Sequence, residues 1–292
     1  MTAKGFTLVE LLMATAVVMA ISGALAAALA PLGSAIDRTH AKADMDAGSR
    51  SVVQQLASDL RLAGSDASIA WPHARLARVL PPVALLRDLE TGAIALPATA
   101  IRITYVPYLA AQGMLDVAAA AGDTLLRLET MSRCATGLPA CGFRPGDSAL
   151  LYTSAAVTTV AIDAVANGAV TIGAPLTVPF PEGSVLAGFV SVTYGIRLAA
   201  DGSHQLVRVS TGGAEQPMLD NVVAFTLLTD TGHPLEAGRV SWTLRVQAPS
   251  RAFRGPAGSL FRRPGTATRM RHWIPDVEHR MVVALRNREA SW

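Results

Sequence analysis

Two features of the first ten residues could do chemistry. Lys4-Gly5-Phe6 ends a short basic leader at a glycine. Glu10 is the single carboxylate in an apolar run that continues from Phe6 to about Leu32. A carboxylate in a membrane-length helix costs about 2.5–3.5 kcal/mol at mid-bilayer on insertion scales, and less near an end, so Glu10 calls for a partner. A buried charge that lacks its partner is strongly destabilising, by about 3–5 kcal/mol when one member of a pair is removed. The plainer role for Glu10 is to stabilise the positive end of the helix dipole from the first turn.

Other chemistry is sparse. Cys134 and Cys141 are the only cysteines; in an exported chain an isolated pair suggests a disulfide. Gly137 and Pro139 between them suit a turn, and so short a loop closes at small entropic cost. Free thiols are the alternative, and a metal site would need further ligands. The six histidines are scattered, with His272 and His279 nearest each other in an Arg-rich segment. Asp201, Asp220-Asn221 and Asp230 lack the dense oxygen spacing of a calcium loop and read as turns. Neither G-x-S-x-G nor H-E-x-x-H occurs, and there is no Walker loop or dinucleotide fingerprint. The expectation is a protein without a catalytic, cofactor or metal site, and not an enzyme.

The chain has 292 residues, a net charge of +3 and 51% hydrophobic residues, enough for one sizeable domain or two small ones beyond an anchor. Residues 239–292 hold eleven arginines against Asp276, Glu278 and Glu289, a local balance of +8. Such an end could bind nucleic acid or anionic lipid; a solvated surface, or pairing with acidic surfaces of this chain or a neighbour, is the plainer reading. Arg239 and Arg245 alternate with apolar residues as strand positions do, and Arg262-Arg263 fall in a Gly/Pro-rich stretch. Of Trp71, Trp242, Trp273 and Trp292, any could mark an interface, and core packing explains Trp242 equally well.

Periodicity shows which elements position these residues. Phe6 to Pro31 is 26 residues, about 39 Å of helix at about 1.5 Å per residue, against about 30 Å for a bilayer core. Beyond it, Met45, Ser49, Val52, Val53, Leu56, Leu60 and Ala63 recur at three- and four-residue steps. Asp46, Arg50, Gln54, Gln55, Asp59 and Arg61 take the other positions. This predicts an apolar helix over 6–32 and an amphipathic one over 33–64, closed by Gly64. The two read as one long helix, kinked or loosened around Pro31–Ser34. Short β-branched and aromatic stretches follow, among them Ile101–Val106, Ala149–Thr153, Val185–Tyr194, Val222–Thr229, Arg239–Gln247 and Arg280–Leu285. Residues 65–100 read as an extended connection and 248–275 as a loop or insertion. The expected fold is α+β, the long helix packed on an antiparallel β-rich globular domain over 65–292.

Three readings of the N-terminus compete. A secretory signal has an apolar core of about 7–15 residues and an A-x-A-like site; Ala26-Ala27-Ala28 and Ala28-Leu29-Ala30 qualify as sites, but the run is too long and Glu10 lies inside it. A plain anchor explains the length and leaves Gly5 and Glu10 as accidents. Basic leader, Gly5, Phe6 and Glu10 in this register resemble the prepilin signal of the type IV pilin and pseudopilin superfamily. The resemblance implies a leader peptide over 1–5 with Lys4 as its basic residue and cleavage by prepilin peptidase between Gly5 and Phe6. It also implies N-methylation of Phe6, and Glu10 as the carboxylate that meets a neighbouring subunit's N-terminal amine.

Gln54-Gln55-Leu56-Ala57-Ser58-Asp59-Leu60-Arg61-Leu62-Ala63-Gly64 is similar to the helix end of PilW-type minor pilins and J-type pseudopilins. Arg280-Met281-Val282-Val283-Ala284-Leu285-Arg286-Asn287 resembles the closing strand of PilW-like proteins; Gly146-Asp147 and Val192-Thr193-Tyr194 fit the same group. The implied fold is pilin-like, and the implied function is a minor pilin that takes part in initiating type IV pilus assembly. A J-type pseudopilin of type II secretion is the alternative within the superfamily. A membrane-tethered binding module using residues 239–292 is the alternative outside it. Expected partners are other major and minor pilins, the prepilin peptidase and the bacterial inner membrane. That membrane would be crossed once, with the N-terminus cytoplasmic, before the subunit enters a pilus or pseudopilus.

Overall fold

The computed structural model describes residues 7–67, 75–94, 98–129, 139–166, 168–231, 237–254 and 273–285. Lys4, Gly5, Phe6, Cys134, Arg262-Arg263 and most of the 248–275 segment lie outside the described residues. Two compact units form, Met1–Ala47 with Gln247–Val277 and Gly48–Val246 with Glu278–Trp292.

Helix α1 runs Leu8–Leu62, 55 residues. The helix runs without interruption through Pro31–Ser34. A proline removes one backbone bond, a loss tolerated in apolar spans where local adjustments satisfy the freed carbonyl. In the first unit, Leu8, Val9, Leu12, Val18, Met19, Ile21, Leu25 and Leu32 are each 56–75% exposed. Farther along, Met45 packs with Ala248 and Ile274, with Ala41 and Phe253 against them.

In the second unit the amphipathic spacing is realised: Ser49, Val52, Leu56, Leu60 and Ala63 are buried. Gly64 adopts φ +70°, the left-handed conformation that closes a last helical turn, and its N–H donates to the Thr104 carbonyl at 2.9 Å.

In chain order the strands are β1 (Val83–Leu86), β2 (Ala100–Tyr105), β3 (Gln112–Met114), β4 (Leu125–Arg127), β5 (Ser148–Tyr152), β6 (Val157–Ala166), β7 (Ala169–Ile172), β8 (Val185–Gly188), β9 (Val190–Leu198), β10 (His204–Ser210), β11 (Glu215–Leu219), β12 (Val222–Thr229), β13 (Arg239–Val246) and β14 (Val277–Ala284). They form sheets ordered β1-β2-β9-β10-β11, β12-β13-β14 and β3-β8-β5-β6-β7-β4, with antiparallel registers. A long N-terminal helix, apolar in its first half, followed by antiparallel sheets makes this an α+β protein.

The sequence reading of 65–100 as a connection misses β1, which follows Pro81-Pro82 and pairs with β2. The stretch read as one strand, Val185–Tyr194, is two. It breaks at Phe189, and β8 joins the six-stranded sheet while β9 joins the five-stranded one. Strands β3 and β11 also escape the sequence reading. β11 contains Pro217 and is largely exposed, the signature of an edge strand rather than a buried one.

One core joins α1 to the five- and three-stranded sheets through Leu56, Leu60, Ile103, Tyr194, Phe225 and Trp242. The six-stranded sheet lies in the chain between β2 and β9 and has its own core of Leu126, Leu151, Ile162, Phe180 and Leu186. At Gly195 in β9 an added Cβ would stand 2.5 Å from Leu89 Cγ and 2.8 Å from Ala100 Cβ. Gly195→Ala should therefore destabilise the second unit by overpacking, about 1–3 kcal/mol, read as a lower urea midpoint. An unchanged midpoint would contradict that close approach.

Candidate functional site

The start of α1 is built locally. Thr7 N and Thr7 Oγ1 both donate to Glu10 Oε2 at 3.2 Å, and Glu10 N donates to Thr7 Oγ1 at 3.3 Å. This is a capping box, in which the residue before the helix and the third residue inside it satisfy each other's backbone donors. The plainer role foreseen for Glu10, stabilising the first turn, is thus present as a hydrogen-bonded cap. Glu10 Oε1 carries no hydrogen bond among the described residues. The T-x-x-E spacing that announces this cap, Thr7 to Glu10, is legible in the sequence.

Helix α1 is long and apolar enough to cross a membrane, and none of its most apolar 18-residue window is buried. A water-exposed apolar surface of this extent marks an interaction with lipid or with other protein.

A polar cluster in the second unit docks α1 on the five-stranded sheet. The Tyr194 hydroxyl, from β9, donates to Asp59 Oδ2 at 2.6 Å. Arg208 Nε, from β10, donates to the Tyr194 oxygen at 3.2 Å and lies 3.4 Å from Asp59 Oδ2. The Arg208 guanidinium carbon stands 6.0 Å from the Tyr194 ring centre, within cation–π reach. Gln55 Nε2, one turn before Asp59, donates to Asp59 Oδ1 at 3.3 Å. The sequence places Asp59 on the solvent side of the helix; the structure buries it, 3% exposed. Its partners lie 135 and 149 residues away, so no local pattern could announce the burial.

Burial, then the hydrogen bond and charge of Asp59, push the Tyr194 hydroxyl above the usual tyrosine range, and Arg208 opposes only part of that rise. Burial works against the Arg208 charge, but Tyr194 and Asp59 outweigh it and raise its pKa. Tyr152 is also raised, by burial and the Asp66 charge, against an opposing hydrogen bond from Ala67 N. A tyrosine with a raised folded pKa keeps its proton after the unfolded chain has lost it. Stability is then full below about pH 10, the ordinary tyrosine value, and falls above it by about 1.4 kcal/mol per pH unit for each such residue. Urea unfolding from about pH 9 to about pH 12 should show this alkaline decline. Tyr194→Phe should make it shallower, and an equal slope would contradict the shift.

The remaining candidates are placed as follows. His279 Nε2 lies 2.9 Å from Ser49 Oγ; Ser49 is fully buried, so the pair fastens β14 to α1. Cys141 is disulfide-bonded and lies in a turn over Pro139–Gly142; Cys134, its expected partner, is outside the described residues. Asp201 accepts from Ser203 N at 2.9 Å and from its hydroxyl at 2.6 Å, and Asp220 accepts from Gln205 Nε2 at 2.7 Å. Asp230 accepts from Gly238 N at 2.9 Å; each of these carboxylates works within a turn or between strands. Among the described residues no group of three or more histidines, cysteines or carboxylates could hold a metal ion. Arg239 and Arg245 fall on the alternate positions of β13 that the core does not use, and Arg280 is on β14.

No protein-family model matches this chain, and no curated protein matches it. The arrangement itself provides an exposed apolar helix with one carboxylate in its first turn and a polar cluster locking its later turns to a sheet.

Proposed function

We propose that this chain is an assembly subunit of the type IV pilin superfamily, a PilW-like minor pilin that takes part in initiating a pilus. The observation that carries the reading is Glu10, alone among apolar residues at the start of a helix whose large side chains lie open from Leu8 to Ile36. Such a surface requires lipid first and neighbouring apolar helices afterwards. Cleavage between Gly5 and Phe6 creates an amine at the head of that surface, and a neighbour's Glu10 neutralises it where water is scarce. The cap uses Oε2 of Glu10, so an intersubunit bond through Oε1 leaves the cap in place. In this account the chain crosses the bacterial inner membrane once, with its N-terminus in the cytoplasm. Its partners are the prepilin peptidase and other major and minor pilins.

Deleting the gene should abolish surface pili and twitching. The Gln54–Gly64 helix end also fits a J-type pseudopilin. Normal piliation with failed protein secretion would transfer the chain to that role. Normal piliation and normal secretion together would contradict both.

A further inference from the structure

The Arg-rich part of the chain has a base in the first unit, against the helix that carries the apolar surface. Six of the eleven arginines of 239–292 fall within 249–275, and no carboxylate falls there. Both ends of that segment are fastened. Ala248, Phe253, Ile274 and Val277 pack with Ala41 and Met45 of α1, and Ile274 N donates to the Phe253 carbonyl at 2.9 Å. Arg254 folds back, donating from Nε to the Ala248 carbonyl at 2.7 Å and from an outer nitrogen to the Pro249 carbonyl at 3.0 Å. Ser250 Oγ accepts from Ala252 N at 3.3 Å and caps the short turn Arg251–Phe253. That turn leaves Arg251 exposed, and Lys42 of α1 is exposed as well. Neither cation forms an ion pair among the described residues.

The exposed apolar surface of α1 ends just before this base. Residues 8–36 make about 43 Å of helix at about 1.5 Å per residue, which matches a bilayer with its headgroup layers, about 40–45 Å. Ala41, which packs against the base, follows Ile36 by about 7.5 Å of helix, within the Debye length of about 8 Å at physiological salt. We propose that this base docks on anionic phospholipid headgroups of the bilayer that α1 crosses. Headgroup phosphates meet Lys42 and the outer nitrogens of Arg251. Trp273, half-buried at the same base, is a residue type that settles at headgroup level. The carboxylates of this unit beyond Ile36, namely Asp37, Asp44, Asp46 and Asp276, are outnumbered by Arg38, Lys42 and the six arginines. A nucleic acid fits less well. It has to be recruited from solution against salt, whereas the helix holds a lipid surface beside the base at high effective concentration. The inference rests on α1 crossing a bilayer, and not on which filament or complex the chain then joins.

The test is backbone hydrogen exchange on the full chain in nanodiscs, of phosphatidylcholine alone or of an equal mixture with phosphatidylglycerol. Slow exchange over residues 8–36 in both shows that α1 is inserted. Exchange over residues 248–277 should then be at least about tenfold slower in the anionic discs, and the difference should vanish at high salt. Lys42→Gln together with Arg251→Gln should shrink the difference by about fivefold or more, since each cation near an anionic surface is worth about fivefold. Arg239→Gln, on β13 outside the segment, should leave it unchanged. The proposal is overturned if α1 is inserted and exchange over 248–277 is equal in the two discs, or if Arg239→Gln shrinks the difference as much. It is also overturned if a thymidine dodecamer slows that exchange in neutral discs more than anionic lipid does. Failure of α1 to insert in either disc would remove the spanning reading itself, and this inference with it.

Discussion

Asp59→Ala should unfold the second unit at a much lower temperature. The substitution leaves the fully buried Tyr194 hydroxyl without its 2.6 Å acceptor. It also removes the carboxylate beside Arg208, whose side chain is 21% exposed. Stranding a buried hydroxyl costs about 1–3 kcal/mol, and breaking a buried pair about 3–5 kcal/mol. Because Arg208 keeps partial contact with water, a loss of about 3 kcal/mol is expected. That corresponds to about 6–12 °C in Tm for a unit of this size. The triple replacement Asp59→Leu, Tyr194→Phe, Arg208→Met removes all three polar groups together and should recover most of the loss, because no group is then stranded. If Asp59→Ala leaves Tm unchanged, the cluster does not hold the helix to the sheet.

Glu10→Gln should leave the subunit folded and inserted while cutting its incorporation into filaments at least a hundredfold. Glutamine keeps the capping box with Thr7, since either Glu or Gln serves at that position, but it cannot neutralise an amine. The expected loss is that of one partner from a buried pair, about 3–5 kcal/mol, and each 1.4 kcal/mol is about tenfold. Thr7→Ala does the reverse, removing the cap at about 1 kcal/mol and keeping the charge, so assembly should fall only slightly. Comparable defects in the two variants would mean that Glu10 works as a cap alone. Immunoblots of sheared surface fractions against membrane fractions measure both.

The legible parts of this chain are those with local causes. The 3.6-residue recurrence from Met45 to Ala63 foretells the buried stripe of α1, and Gly64 foretells its end. Alternation in Arg239–Val246 foretells a strand with one face on the core, as its burial pattern shows. What escaped depends on distant partners or on strand assignment. Asp59 reads as a surface residue until Tyr194 and Arg208 arrive from the sheet. Val185–Tyr194 is continuous in hydrophobicity, yet its halves serve two sheets, a division that only tertiary pairing decides. Trp242 gives no sequence sign that its indole nitrogen is buried without a partner.

The central claim concerns the junction and the carboxylate at the start of α1, and intact mass analysis of the mature N-terminus tests it most directly. The account predicts a chain beginning at Phe6 with a methylated amine. A chain beginning at Met1, or one cut beyond Ala26, would contradict it.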